Sequence, residues 1–184
     1  VSLFGLGICG AQSPIYCEQG FENMELFSNE VFSELKKLFN GAEKVEVGPI
    51  EIRHRKIKAK IENPDFQLLF TLGIFERELE DEKATTTVSK IRIGNVHLVH
   101  LPGEVFPGLF KKTLDENPDK DILFISNSND SIGYLIPPEQ YRLKPQVWVD
   151  DIENGKFIGH ETESIGLEVA KTILGTFGFQ TVKL

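Results

Sequence analysis

The sequence predicts an α/β fold of the mixed α+β type, with mixed β-sheets flanked by helices. Apolar and charged side chains alternate over residues 44–61, as in a strand with one wet face. Gly94-Asn95 joins two β-rich segments, which is typical of a hairpin turn. Apolar stripes of helical period cover residues 27–39 and 164–175. A chain of 184 residues is long enough to enclose a core.

The first part of the chain contains a predicted strand, a loop and a helix. Residues 2–9 are apolar and small, which indicates a buried strand, and glycines and a proline make residues 10–22 a loop. The amphipathic helix of residues 27–39 then ends before Gly41, which we expect to be a left-handed cap. The alternating strand of residues 44–61 follows, and we expect Gly48-Pro49 to interrupt it as a bulge or bend.

The central part predicts mainly β-structure. Residues 66–82 leave two interpretations open, because residues 67–74 fit either a strand or a short helix before a charged run. We expect that Glu-rich run to be solvated surface without a function. Residues 85–101 form the predicted hairpin, and Pro102-Gly103 ends its second strand.

The last part predicts helix, strand, loop and helix. The expected elements are a helix over residues 105–116, a strand over Ile122–Ile125, a polar loop over residues 126–133 and a helix over residues 164–175. The short apolar strand is of the type that is covered on both faces. Ser164 is the predicted N-cap of the last helix.

The composition excludes several classes of protein. The chain has 20 basic and 28 acidic residues and a net charge of −8, which argues against non-specific binding to nucleic acid. Its longest apolar run is far too short to span a membrane. Cys9 and Cys17 cannot form a disulfide framework, and they favour free thiols in a reducing, cytoplasmic compartment.

The glycine motif and the histidines do not by themselves predict a nucleotide site or a metal site. Gly5–Gly10 has the pattern G-x-G-x-x-G, which suits either a dinucleotide site or a tight turn. No helix follows it directly, so the turn is favoured. His97 and His100 are three positions apart on a strand, which puts them on opposite faces and prevents joint chelation. His160 beside Glu161 forms only an isolated pair of candidates.

Polar loops follow two of the predicted strands. Glu104 stands between a strand end and a helix start, where the helix dipole would favour a carboxylate. Residues 126–134 follow the apolar strand with a run of Ser, Asn and Asp. Ligands of α/β sheets collect at strand ends, but the same residue types also make ordinary turns. Both interpretations stay open on this pattern alone.

Four segments of the chain, taken together, resemble a known family. Leu101-Pro102-Gly103-Glu104-Val105-Phe106 is similar to its segment L-P-G-E-x-F, and residues 129–141 are similar to its segment N-x-x-x-G-Y with the Pro, Glu and Tyr that follow. Glu161-Thr162-Glu163-Ser164 is similar to Y-E-x-x-S, and Gly10-Ala11-Gln12-Ser13-Pro14 stands where the family has G-D-V-S-P. The family is that of the neutral ceramidases and their bacterial and archaeal relatives.

The resemblance implies a zinc hydrolase. Glu104 and Tyr134 occupy the places of two zinc ligands, and Ser13 occupies the place of the nucleophile or catalytic hydroxyl. In this family zinc polarises an amide carbonyl and activates the attacking oxygen, in line with general zinc chemistry. Residues 1–184 would then be a single unit, the C-terminal half of a larger catalytic domain.

The resemblance also implies a missing part. The zinc-binding histidines of the family lie in an N-terminal half that this sequence does not contain, so a preceding segment or a second chain would supply them. The apolar start at Val1 leads us to expect a preceding segment. Ala11, Gln12 and His160 depart from the family pattern. The substrate would be a small-molecule or lipid amide. The alternative is a non-catalytic ceramidase-like module, or a protein that binds a small ligand without metal.

Overall fold

The computed structural model divides into two compact units, Gln12–Gly48 and Val1–Ala11 with Pro49–Leu184. The residues that it describes are 4–10, 20–44, 46–141, 149–151, 156–157 and 164–176.

The described residues of the unit Gln12–Gly48 include an amphipathic helix, α1 (Phe21–Asn40). Its apolar side chains recur at helical spacing, which confirms the predicted helix, and none of its residues is buried. Gly41 ends the helix with a right-handed φ of −93°, so the predicted left-handed cap is wrong. The N–H of Gly41 instead donates to the carbonyl of Lys37 at 3.1 Å and continues the helical pattern.

The larger unit contains the other elements. In chain order they are β1 (Ile50–Lys60), α2 (Pro64–Thr71), β2 (Leu79–Glu80), β3 (Lys83–Ile93), β4 (Val96–His100), β5 (Glu104–Val105), α3 (Lys111–Asp115), β6 (Asp121–Ile125), β7 (Tyr134–Leu135), α4 (Pro138–Tyr141), β8 (Val149–Asp151), β9 (Lys156–Phe157) and α5 (Leu167–Thr176).

The main sheet has the strand order β1-β3-β4-β6, and β2 also pairs with β3. All of its pairs are antiparallel except β4–β6, which is parallel. Two small sheets accompany it, the parallel pair β5–β7 and the antiparallel pair β8–β9. The predicted mixed sheets flanked by helices are therefore confirmed.

Apolar and charged side chains change faces along the main sheet. On β1 we call the side that carries Ile57 and Ala59 the core face, and the opposite side the outer face. Ile57 and Ala59 are buried. Near the start of the same strand, however, the core face carries exposed Arg53, while Ile50 and Ile52 lie exposed on the outer face. The sheet is thus amphipathic in opposite senses at its two ends.

The hydrophobic core lies on the core face. Helix α5 covers β1 with Val169, Ala170 and Ile173, all of which are buried. Phe110 stacks on Phe124 of β6, with ring centroids 4.3 Å apart. These side chains come from β1, β6, α5 and the start of α3, so the core joins segments that are far apart in the sequence.

Several predicted elements have their expected form. The hairpin at Gly94-Asn95 is confirmed as β3–β4, and its longer strand starts at Lys83. Residues 66–82, for which two interpretations stood open, begin with helix α2. Pro64 starts that helix, and Asn63 caps it by accepting a hydrogen bond from the N–H of Asp65 at 2.9 Å. No helix in the described ranges is long and apolar enough to cross a membrane.

The predicted strand over residues 44–61 is too long. Residues 46–49 have no regular structure, and β1 begins only at Ile50. The prediction of one wet face is confirmed, because every residue on the outer face of β1 is exposed and the buried residues Ile57 and Ala59 lie on the core face. Ile52 and Ile57 differ in parity, so the apolar side chains, but not the buried side, change faces along the strand.

The predicted helix over residues 105–116 is wrong in its first half. A two-residue strand, Glu104–Val105, comes first, and the helix is only Lys111–Asp115. Pro107 restricts the residue before it, and Gly108 has a φ of +96°, so this stretch turns instead of coiling. Glu104 therefore does not face a helix N-terminus.

Three smaller predictions are also wrong. The described part of residues 2–9 is not a strand, and Phe4 in it is 93% exposed. β6 is not covered on both faces, because Leu123 is 56% exposed on the outer face. Ser164 does not cap α5, which begins at Leu167; it forms an isolated bridge instead.

Candidate functional site

The segment 101–103, which joins β4 to β5, is held by the polar loop that follows β6. Each of its three backbone carbonyls accepts a hydrogen bond from a backbone N–H of that loop, at 2.8–3.0 Å. The donors, in the order of the carbonyls, are Ser128, Ile132 and Asn127. The segment is buried, so these bonds satisfy polar groups that water does not reach. The loop therefore has a structural role in fixing the start of β5.

The residue types of this loop match its backbone conformation. Asn127 and Asn129 have φ values of 46° and 70°, and Gly133 has a φ of 83°. Asn and Gly adopt this left-handed region most readily, so the Asn-rich sequence is what the turn requires. These φ values support the turn interpretation of residues 126–134. The ligand-site interpretation stays a prediction.

Glu104 and Tyr134 come together in the parallel pair β5–β7. They are direct partners in its register, and neighbouring strands lie about 4.8 Å apart. The N–H of Glu104 donates to the carbonyl of Gly133 at 3.0 Å. The ring of Phe106 meets the ring of Tyr134 edge-on, with centroids 5.1 Å apart. Two residues from separate sequence motifs therefore lie side by side, each on a fixed backbone.

Gly103 allows this close approach. A Cβ at this position would overlap the backbone carbonyl of Gly133 and press on the side chain of Leu135. Only glycine therefore lets β5 and β7 pair at this point.

A third motif ends at the same place. Ser164, the last residue of the segment similar to Y-E-x-x-S, bridges to Gly133, the residue before Tyr134. Ser164 is fully buried, and its carbonyl accepts a hydrogen bond from the side chain of Asn63 at 2.9 Å. His160 and Glu161 lie outside the described residues.

The glycine motif also reaches this site. The N–H of Gly10 donates to the carbonyl of Val105, next to Glu104, at 2.8 Å, and a Cβ on Gly10 would overlap the ring of Phe106. Gly10 lies in a turn, which agrees with the turn interpretation of the motif, and residues 11–19 lie outside the described part of the chain. Ser13 and Cys17 lie outside the described residues, whereas Cys9 is a free thiol.

The described residues fit part of a metal site and do not complete one. The carboxylate of Glu104 is partly buried and makes no hydrogen bond or ion pair within the described ranges. With Tyr134 it offers two oxygen donors, whereas a catalytic zinc ion needs about three protein ligands. No group of three or more His, Cys, Asp or Glu among the described residues is placed to hold a metal ion.

The histidines of β4 do not join this pair. His97 lies on the core face and His100 on the outer face, as expected from their spacing. The Nδ1 of His100 lies 2.7 Å from the hydroxyl of Ser128, and burial lowers the pKa of this histidine. His54 is exposed on the outer face and hydrogen bonds with Ser89 at 2.8 Å.

A partly buried ion pair in the polar loop was not predicted. Arg77 forms an ion pair with Asp130, and Asp130 also accepts hydrogen bonds from the hydroxyl of Thr86 at 2.6 Å and from the N–H of Ser131 at 2.8 Å. The run Glu76–Lys83 was expected to be solvated surface, and Arg77 is its one basic residue before Lys83, which ends the run. An arginine among carboxylates is the sequence feature that could have predicted this ion pair.

A cavity of about 370 Å³ lies beside this ion pair. Its apolar wall comes mainly from α2 and the residues after it, and its polar side comes from Glu76, Arg77 and Ser131. The apolar lining residues are Phe66, Phe70, Ile74, Phe75, Ala84, Ile132 and Ile165. The cavity belongs to the same loop system that positions Tyr134.

Comparison with known proteins supports a likeness of fold. No protein-family model and no curated protein matches this sequence. The crystal structure of neutral ceramidase from Pseudomonas aeruginosa matches with a TM-score of 0.51 and 13% sequence identity. The match covers 95% of this chain and 35% of that one, so this chain spans about a third of the ceramidase's length. At this identity the match supports a distant relationship in fold. Zinc, substrate and activity stay predictions.

Proposed function

We propose that this chain supplies two zinc ligands, Glu104 and Tyr134, to a ceramidase-like hydrolase that cleaves an amide bond. Ser13 supplies the catalytic hydroxyl, and histidines of an N-terminal segment or a second chain complete the metal site. The observation that carries the proposal is the direct pairing of Glu104 with Tyr134 in β5–β7.

The convergence of separate motifs supports this proposal. Glu104 and Tyr134 each belong to a segment that resembles the ceramidases, and β5–β7 brings the two segments into one ladder. The third segment reaches the same ladder through Ser164, and the fourth through Gly10. Turns without a common function would not be expected to lie together at the β5–β7 pair. The fold-level match to neutral ceramidase is a separate observation in the same direction.

The state of Glu104 suits a metal ligand. Glu104 is partly buried, and its carboxylate makes no hydrogen bond or ion pair within the described ranges. Its oxygens therefore remain available to a bound cation. Carboxylate oxygen is also an established ligand type for zinc.

Tyr134 and Ser13 have the other two proposed roles. When bound, zinc supplies Lewis-acid polarisation of the amide carbonyl. A phenol beside it either ionises and binds the metal or donates a hydrogen bond to developing negative charge. Phe106 restrains the ring of Tyr134 for that role. Ser13 follows Gly10 by three residues, and Gly10 is hydrogen bonded beside Glu104.

Zinc content tests this proposal. The protein should be made from its complete reading frame, together with any polypeptide that co-purifies, and zinc per chain measured by mass spectrometry. We expect one zinc ion per site. Glu104→Gln should lower zinc affinity by more than about 100-fold, because removing a ligand costs more than removing a residue that supports one. Hydrolysis of amide substrates should fall in parallel.

Glu116→Gln is the matched control, since it makes the same chemical change at an exposed carboxylate on the C-terminal side of α3. It should leave zinc content and activity unchanged. A complete protein that holds no zinc and co-purifies with no second chain would contradict the proposal. The alternative of a non-catalytic module would then stand.

A further inference from the structure

One end of the core face is cationic instead of apolar. Arg53 and Lys90 are register partners in β1–β3, and Arg92 lies two residues further along the same face. Lys120 directly precedes β6, whose first residue pairs with the first residue of β4. We call these four side chains the cationic cluster. They occupy positions that hold the hydrophobic core further along the same face.

One carboxylate, that of Glu51, faces the cluster in the described part of the chain. Glu51 forms an ion pair with Arg92 and lies 3.9 Å from Arg53. Lys90 is partly buried and makes no hydrogen bond or ion pair with any described residue. Burial, and then repulsion from Arg53 and the other cluster cations, lowers the pKa of Lys90. Four cations thus meet one anion in a protein whose net charge is −8.

His97 provides a second and independent observation. It is the register partner of Arg92, and it is only 3% exposed. Its Nδ1 is buried and has no hydrogen-bond partner among the described residues. Burial, and then the charges of Lys90, Arg92 and Lys120, lowers the pKa of His97. A buried ring nitrogen without a partner costs free energy unless a ligand or a water satisfies it.

A bound anion would act on both the repulsion among the cations and the unpaired ring nitrogen of His97. Guanidinium and ammonium groups, of which the cluster has two each, are the usual partners of a phosphoryl group, which offers oxygens of high charge in several directions. Such an anion would neutralise the repulsion among the cations. It would also give the imidazole of His97 an oxygen to bind.

We propose that the cationic cluster, together with His97, binds a dianionic phosphoryl group, either as free phosphate or on a phosphate monoester. The site is separate from the candidate metal centre. It lies at the start of β4, whereas Glu104 follows the end of that strand. The proposal does not depend on zinc or on hydrolysis.

Inorganic phosphate is the first probe. It should be added to the full chain at constant ionic strength, balanced with sodium chloride, while the melting temperature and the NMR titration of His97 are followed. We expect a saturable rise in melting temperature and a higher pKa for His97, because a bound anion favours the imidazolium. Glycerol phosphate in a second arm distinguishes the source: tighter binding than phosphate indicates a monoester.

Lys90→Gln is the decisive variant. It should raise the melting temperature without phosphate, because it removes an unpaired and repelled cation, and it should weaken phosphate binding by about 10- to 100-fold. Lys56→Gln, an exposed lysine on the outer face of β1, is the control and should bind as the unsubstituted protein does. If Lys90→Gln does not fold, Lys120→Gln gives the same test of binding. Absence of a saturable response, or an equal response in the cluster variant, would overturn the proposal.

Discussion

Asp130 joins three parts of the chain through a single carboxylate. It binds Arg77 from the segment before β2, Thr86 from β3 and the backbone of its own loop. Burial raises the pKa of Asp130, but the hydrogen bonds from Arg77, Thr86 and Ser131 outweigh it, and the pKa lies below its usual value of 3.8. The ionised form is therefore the one that holds the loop before Tyr134 in place.

This depressed pKa predicts a pH-dependent stability. The ionised carboxylate stabilises the fold at pH values above 3.8, and the contribution disappears as the pH falls through the lower pKa of the folded state. Asp130→Asn should lower the free energy of unfolding at pH 7 by about 1–3 kcal/mol. Denaturant unfolding should show a smaller difference at pH 3 than at pH 7, because protonation of the unfolded-state carboxyl below pH 3.8 already reduces the contribution of the ionised form.

Asp115→Asn is the control for this prediction, because Asp115 pairs with Lys111 at 2.7 Å in an exposed position. Its effect should stay within about 0.5 kcal/mol at both pH values. An equal loss of stability at pH 7 and pH 3 in Asp130→Asn would show that packing, and not charge, explains the effect.

At the scale of elements, long periodic segments are predictable from the sequence and short ones are not. The β3–β4 hairpin carries a turn dipeptide between two β-rich strands, and α1 carries a full apolar stripe, so both were predicted. β5 and β7 have two residues each, which is too short to show any period. Tertiary hydrogen bonds define them, and no local pattern records such bonds.

The pairing of β5 with β7 should depend on Gly103. A methyl group at this position would overlap the carbonyl of Gly133, so Gly103→Ala should separate Glu104 from Tyr134. We expect a loss of about 1–3 kcal/mol in the free energy of unfolding, and weaker zinc binding in the complete protein. Gly7→Ala is the control, because nothing lies within 4 Å of a Cβ there. Unchanged zinc binding in Gly103→Ala would contradict this role of the β5–β7 pair.

At the scale of the whole molecule, the sheet places two candidate sites at opposite ends of β4. The metal centre follows the end of the strand, and the cationic cluster surrounds its start. The change of face by the apolar side chains explains this arrangement. The core face carries charged side chains near Arg53 and Arg92. At the same end of the sheet, Ile50 and Ile52 lie exposed on the outer face.

The candidate metal centre was predictable only through the resemblance. Periodicity predicted strand ends and loops, and it left Glu104 and residues 126–134 as either turns or a ligand site. The resemblance paired Glu104 with Tyr134, and the fold places the two side by side. The cationic cluster was not predicted, because its members are dispersed in the sequence and only strand register assembles them.

The central claim is that Glu104 and Tyr134 share one metal ion. Anomalous diffraction at the zinc absorption edge, from crystals of the complete protein, tests it most directly. We predict an anomalous peak about 2.0–2.2 Å from a carboxylate oxygen of Glu104 and beside the hydroxyl of Tyr134. A zinc peak at any other place in the fold, or crystals of the complete protein without such a peak, would contradict the claim.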